Sequence, residues 1–173
     1  MSTDISEKGL ESLIVRHMTG TDGLAVTPGA LTEPPAPYGG TGYFAGSPKD
    51  FDRAHALDVA QLFAFLRATQ PEAFKKLGML DANDAKDINR LKFLTRLSAE
   101  LGKRGAIDVL RKGIDHHPAG HFDLFYGTPS AGNVKAAALH VQNRFSITRQ
   151  LAYSVDETRR ALDLGLFING LPI

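Results

Sequence analysis

Apolar and polar residues alternate from Phe145 to Tyr153, and a second run, Asp163 to Ile168, leads directly into Asn169-Gly170. Asn-Gly between extended segments is the strongest short-range signal for a hairpin, because both positions tolerate positive φ. The last third of the chain is therefore expected to build antiparallel sheet. On the first run Phe145, Ile147, Arg149, Leu151 and Tyr153 share one face, and Ser146, Thr148 and Gln150 share the other. On the second, Leu164, Leu166 and Ile168 are expected to point into the core, with Asp163, Gly165 and Phe167 opposite. Only Leu171, Pro172 and Ile173 follow the turn. A return strand is usually longer, so the chain is expected to stop inside an element, as a truncation.

The first hundred residues carry helical periodicity instead. A helix is expected over 4–18, capped by Asp4 with Glu7 at capping-box spacing, with Leu10, Leu13, Ile14 and Met18 as its apolar stripe and Gly20 at its end. Residues 20–49 are rich in Gly and Pro and read as a surface loop. Asp50 is placed to cap a second helix running to about Thr69, with a short helix at 72–77 and another at 84–101 that Gly102 ends. Ala106–Leu110 and Phe122–Tyr126 read as short strands, and 133–142 as a helix. The expected fold class is α/β, one domain over 1–173 with a helical and loop portion (about 1–102) and a sheet portion (about 103–173), forming a small mixed sheet flanked by helices.

Several function classes are excluded. With no cysteine among 173 residues, disulfides, thiol catalysis and thiolate zinc sites are ruled out. No stretch nears the roughly 18 apolar residues of a membrane span, and the polar start MSTDISEKGLES is not a secretory signal. A cytoplasmic, membrane-free protein is expected. There is no G-x-x-x-x-G-K-[ST] and no G-x-S-x-G, so neither ATP hydrolysis by this chain nor a nucleophile elbow is expected. The net charge is only +1, but residues 89–112 hold seven basic and two acidic residues, a net of +5. Such a run meets a phosphate backbone or forms a solvated helix face.

Three groups could carry chemistry. Asp163 opens a strand beside Gly165, and a carboxylate there can hold a hard divalent cation, although one carboxylate needs further oxygen ligands. Asp115, His116, His117, His121 and Asp123 are ligand types for zinc or iron, but His116-His117 are adjacent and Pro118-Ala119-Gly120 follows, so a polar loop competes with a metal-hydrolase reading. Glu11 lies on the first helix, where an exposed surface carboxylate is the ordinary alternative.

Ordered motifs extend this reading. Arg104–Gly113, Asn143-Arg144-Phe145-Ser146-Ile147-Thr148-Arg149-Gln150, Tyr153-Ser154, Leu162-Asp163-Leu164 and Leu166–Ile173 resemble the N-terminal nuclease region of type I restriction enzyme R subunits, which belong to the PD-(D/E)xK superfamily. Asp50–Asp58 and Ala68-Thr69-Gln70-Pro71 are also similar, so the resemblance spans nearly the whole chain. It implies a restriction-endonuclease-like fold in which Asp163 is the first acidic Mg²⁺ ligand, joined by the Glu of a later Glu-x-Lys, with Glu11 near the same site. Lys103, Arg104, Arg111, Lys112, Arg149 and Gln150 become candidate DNA contacts. The implied partners are double-stranded DNA and the methylation and specificity subunits; the implied cofactors are Mg²⁺ and, through motor domains outside this chain, ATP. Two positions depart from the pattern: Leu162 stands where Pro is usual, and Gly165 where a larger apolar residue is common. The Glu-x-Lys would fall beyond Ile173, so the chain by itself is expected to be inactive. The alternative is a non-catalytic module that binds DNA or docks onto partner subunits through the basic segment.

Overall fold

The computed structural model describes residues 7–20, 42–153 and 161–173. In chain order they form α1 (Glu7–Thr19), β1 (Tyr43–Ala45), a 3-10 turn (Pro48–Asp50), β2 (Phe51–Asp52), β3 (Leu57–Asp58), α2 (Val59–Thr69), α3 (Pro71–Lys76), α4 (Ile88–Arg104), α5 (Ala106–Lys112), β4 (Ile114–His116), β5 (Gly120–Phe122), α6 (Val134–His140), β6 (Phe145–Ala152), β7 (Ala161–Ile168) and β8 (Leu171–Pro172). The chain is thus mixed α/β. Its main sheet runs β1-β6-β7-β8, with β1 parallel to β6 and the other pairs antiparallel. Helices flank it: α1 lies against β1 and β6, while the β8 end meets β3 at the start of α2. Among the described residues no helix is long and apolar enough to cross a membrane.

The Asn-Gly hairpin forms as the dipeptide requires. Asn169 and Gly170 take φ of 50° and 82°, the left-handed pair of a tight β-turn. Phe167 then faces Pro172 and Ile168 faces Leu171. Only glycine fits at 170, because a Cβ there would collide with the Asp58 carbonyl oxygen and stand 2.7 Å from Leu62. Asp58 donates its N–H to the Gly170 oxygen at 2.9 Å, which docks the turn onto the start of α2.

The core lies between α2, α4, α5 and the β4–β5 hairpin, around Phe65, Phe93, Phe122, Leu62, Leu94 and Leu97, all fully buried. Phe93 meets Phe122 edge-on with centroids 5.2 Å apart, a favoured aromatic geometry.

Local readings fail where tertiary contacts override them. Ala106–Leu110 is helical, not extended: five apolar-leaning residues fit either state, and Gly105 (φ 78°) ends α4 and opens α5, with Val109 N–H bonding back to the Gly105 oxygen at 3.2 Å. Gly102 is therefore inside α4 rather than its end. Of Phe122–Tyr126 only Phe122 is in a strand. The second helix starts at Val59, because Asp58 caps it through Gln61 N–H at 3.1 Å; Asp50 instead closes the 3-10 turn. Residues 43–45, expected to be loop, form the parallel edge strand.

Two faces are also reversed. On α1, Leu10, Leu13 and Ile14 are exposed, while Glu11 and Val15 are buried. On β7, Phe167 is fully buried and Leu164, Leu166 and Ile168 are only half-buried, because Phe167 packs against Phe51 with centroids 5.9 Å apart. The alternation in β6 breaks at Gln150, whose φ is 49°. After it, Leu151 comes within 2.8 Å of where a Gly165 Cβ would stand, beside Phe167. Gly165 is small because that space is filled. The capping position Asp4 lies outside the described residues.

Candidate functional site

At the end of the β6–β7 pair away from the hairpin, polar side chains replace the apolar core. Arg149 faces Leu164 and Leu151 faces Leu162, which leaves Gln150 across the ladder from Asp163. The left-handed backbone of Gln150 turns its amide toward α1, where Nε2 donates to both oxygens of Glu11 at 3.2 and 3.1 Å. Arg149 donates from Nη2 to Glu11 Oε2 at 3.3 Å and from Nη1 to Ser12 Oγ at 3.0 Å. These donors explain why a carboxylate sits buried on the inner face of α1 where the hydropathy pattern places Leu10 and Leu13. A buried carboxylate is tolerated when charged and hydrogen-bonded partners reach it.

Asp163 itself is exposed on β7. The structure therefore gathers Glu11, Arg149 and Gln150 into one cluster and sets Asp163 opposite one of its members. The residues are drawn from α1, β6 and β7, 138 positions apart at the widest hydrogen-bonded pair but one, and no local pattern links them.

The remaining candidate DNA contacts lie on α4 and α5, apart from this cluster. Arg104 is engaged on three sides: Nε to Glu100 at 2.7 Å, Nη1 to Asp108 at 3.1 Å and Nη2 to the Gly113 oxygen at 2.8 Å. It ties α4 to the far end of α5. Lys112 pairs with Asp108 at 2.6 Å, and that hydrogen bond, followed by Arg104, holds the Asp108 carboxyl below its ordinary range. Lys103 and Arg111 are exposed, as is Lys92.

The 115–123 cluster is a hairpin. Asp115 faces His121 and His116 faces Gly120. His121 Nδ1 lies 2.8 Å from Asp115 Oδ1 and its Nε2 lies 3.7 Å from Asp123. His116 turns inward, its ring edge-on to Phe93 at 5.4 Å, and burial lowers its pKa. Among the described residues no group of three His, Cys, Asp or Glu could hold a metal ion.

That bears on magnesium. Mg²⁺ demands near-octahedral oxygen coordination, whereas the described residues bring one exposed carboxylate, Asp163, and a second, Glu11, whose oxygens already accept N–H donors. These residues alone do not fit the ion.

Sequence reasoning missed a second polar centre at the hairpin end. Asn169 is fully buried. Its Oδ1 accepts from Arg144 N–H at 2.6 Å, and its Nδ2 donates to the Leu124 oxygen at 2.8 Å and to Asn143 Oδ1 at 3.1 Å. Asn143 in turn bonds both backbone groups of Tyr126. The adjacent Asp58, 1% exposed, is pushed by burial up to about 6, and its Oδ2 has no partner. The only sequence signal for this centre is that both asparagines flank strands.

No family model, curated protein or solved structure matches the chain.

Proposed function

We propose that this chain is the N-terminal part of the nuclease region of a type I restriction enzyme R subunit, with a restriction-endonuclease-like fold. In the intact subunit Asp163 belongs to the centre that cleaves double-stranded DNA, dependent on Mg²⁺ and coupled to ATP-driven translocation alongside methylation and specificity subunits. The observation that supports this best is the placement of Gln150, which holds Glu11 while standing across the ladder from Asp163. Gln150 and Asp163, each within a family-like motif, and Glu11, matched by its place on the first helix, thus lie at one strand end. Glu11, neutralised by Arg149, braces β6 there; the exposed Asp163 carboxylate remains available.

The β7–β8 register sharpens the reading. Phe167 faces Pro172, and each step along β7 toward Asp163 is one step outward on its partner. A strand continuing β8 therefore brings its third residue past Ile173 opposite Asp163. A Glu-x-Lys encoded at about that point stands beside it.

The test is cleavage by the intact R subunit assembled with its partner subunits on double-stranded DNA. Asp163→Ala is expected to abolish cleavage while ATP hydrolysis persists, and the isolated 173-residue chain to show no Mg²⁺-dependent nicking. Cleavage that survives Asp163→Ala removes the proposal.

A second reading, a non-catalytic DNA-binding module, rests on the exposed Lys92, Lys103 and Arg111. A salt titration of DNA binding separates the two: a steep log–log slope supports backbone contacts, and no binding at low salt ends that reading.

A further inference from the structure

A cavity of about 350 Å³ opens beside the start of α2, the 3-10 turn and α4, and none of its lining belongs to the Glu11–Gln150–Asp163 end. Phe63 and Ala82 give it an apolar surface. Three cations, Lys49, Arg67 and Arg90, line it against a single carboxylate, Asp50. The first residues of α2 complete the wall, adding the positive end of an eleven-residue helix.

Arg90 shows what the cavity lacks. It is 7% exposed. Its Nη2 lies 3.6 Å from Asp52, a long ion pair, and its Nε has no hydrogen-bond acceptor in the protein. Buried guanidinium donors are normally engaged, so the guanidinium at the cavity wall is incompletely paired, and an anion in the cavity adds the negative charge it lacks. Arg67 sits over the Phe74 ring at 5.0 Å, which anchors a second guanidinium at the same cavity.

We propose that this cavity binds a phosphate monoester, its oxygens held by Arg90 and Arg67 and its organic part lying on Phe63 and Ala82. Two planar forks and a lysine suit a multi-oxygen dianion better than a lone carboxylate. The volume falls at the lower end of the roughly 300–1,000 Å³ typical of small-molecule pockets, more than bare phosphate fills. The monoester comes either from a free small molecule or from the 5′-phosphorylated end of a nucleic acid strand; the recognising chemistry is the same.

The ¹⁵N-labelled full chain is titrated with inorganic phosphate, with a nucleoside 5′-monophosphate, and with two identical short strands, one carrying a 5′-phosphate. Saturable amide shifts at Phe63, Asn83 and Arg90 are expected, with the nucleotide binding about tenfold tighter than inorganic phosphate through its added apolar contact. Preference for the phosphorylated strand over the nucleotide assigns the source to a nucleic acid end; the reverse assigns it to a free small molecule. Lys49→Gln combined with Arg67→Gln, both exposed and so of small consequence for folding, is expected to weaken binding by about tenfold or more. The proposal is overturned by an absence of saturable shifts with every probe, by equal shifts from chloride at matched ionic strength, or by undiminished binding in the double variant.

Discussion

The two ends of the β6–β7 pair are made from the same two strands and obey opposite rules. At the hairpin end the polar groups are enclosed and nearly all answered: Asn169 bonds to Arg144, Leu124 and Asn143, and Gly170 seats against Asp58 and Leu62, while Asp58 Oδ2 is left without a partner. At the other end Gln150 breaks the alternation, Asp163 is exposed, and a buried carboxylate, Glu11, is held from two side chains of β6. The first arrangement secures register. The second places polar groups where a partner can reach them. Enclosed, hydrogen-bonded residues and exposed polar ones are thereby separated along one ladder, and substitutions should separate in the same way.

The largest effect is expected at Gly170. Gly170→Ala adds a Cβ against backbone at a φ of 82°, and the loss should exceed about 3 kcal/mol; chemical denaturation that shows a mild effect would mean the turn docks loosely. Asn169→Ala comes next, at roughly 2–3 kcal/mol, since it leaves the Arg144 N–H and Asn143 without their buried partner. The same denaturation curves report it.

At the polar end, Glu11→Ala should cost about 1–2 kcal/mol, through Arg149 and Gln150 losing their acceptor. A cost equal to that of Asn169→Ala would erase the contrast between the ends.

Asp58 gives a pH test. Its carboxyl titrates near 3.8 when unfolded and near 6 in the folded chain, so the folded state holds the proton more tightly. The stability this contributes is complete below about pH 4 and is lost as pH rises toward 6, by up to roughly 2–3 kcal/mol. Asp58→Asn keeps an oxygen for Gln61 N–H and removes the titration. Unfolding free energies from urea denaturation between pH 4 and 8 should therefore vary less for the variant by roughly 2 kcal/mol across that range, and parallel curves would show that Asp58 reaches water. Smallest of all, Asp163→Ala should leave the midpoint unmoved, an exposed change without structural consequence. If it destabilises the chain, Asp163 is a structural residue and the two ends are alike.

Periodicity and dipeptide chemistry made the main elements legible. β6, β7, the Asn169-Gly170 turn and the helices expected over 72–77 and 84–101 follow from alternation, left-handed tolerance and helical periodicity, all of which act within a few residues, although the second helix runs from Ile88 to Arg104. The helix at 106–112 was not legible, because a short apolar run has no period of its own and the bond that ties its two ends, Arg104 to the Gly113 oxygen, spans nine residues. Asp163 was named by motif resemblance and Glu11 by its place on the first helix, yet nothing in the sequence says that Gln150 stands between them.

The sequence by itself determined that 145–152 and 163–168 are extended, that the chain turns at Asn169-Gly170, and that thiol and P-loop chemistry are impossible here, since these depend on residue type and near neighbours alone. Only the tertiary structure decided which face of α1 is buried, that β1 joins β6, and that a guanidinium with an unmet Nε lines a cationic cavity. Each of those outcomes depends on donors and acceptors brought together from distant positions, where burial makes an unmet polar group costly and so selects the one packing that answers nearly all of them.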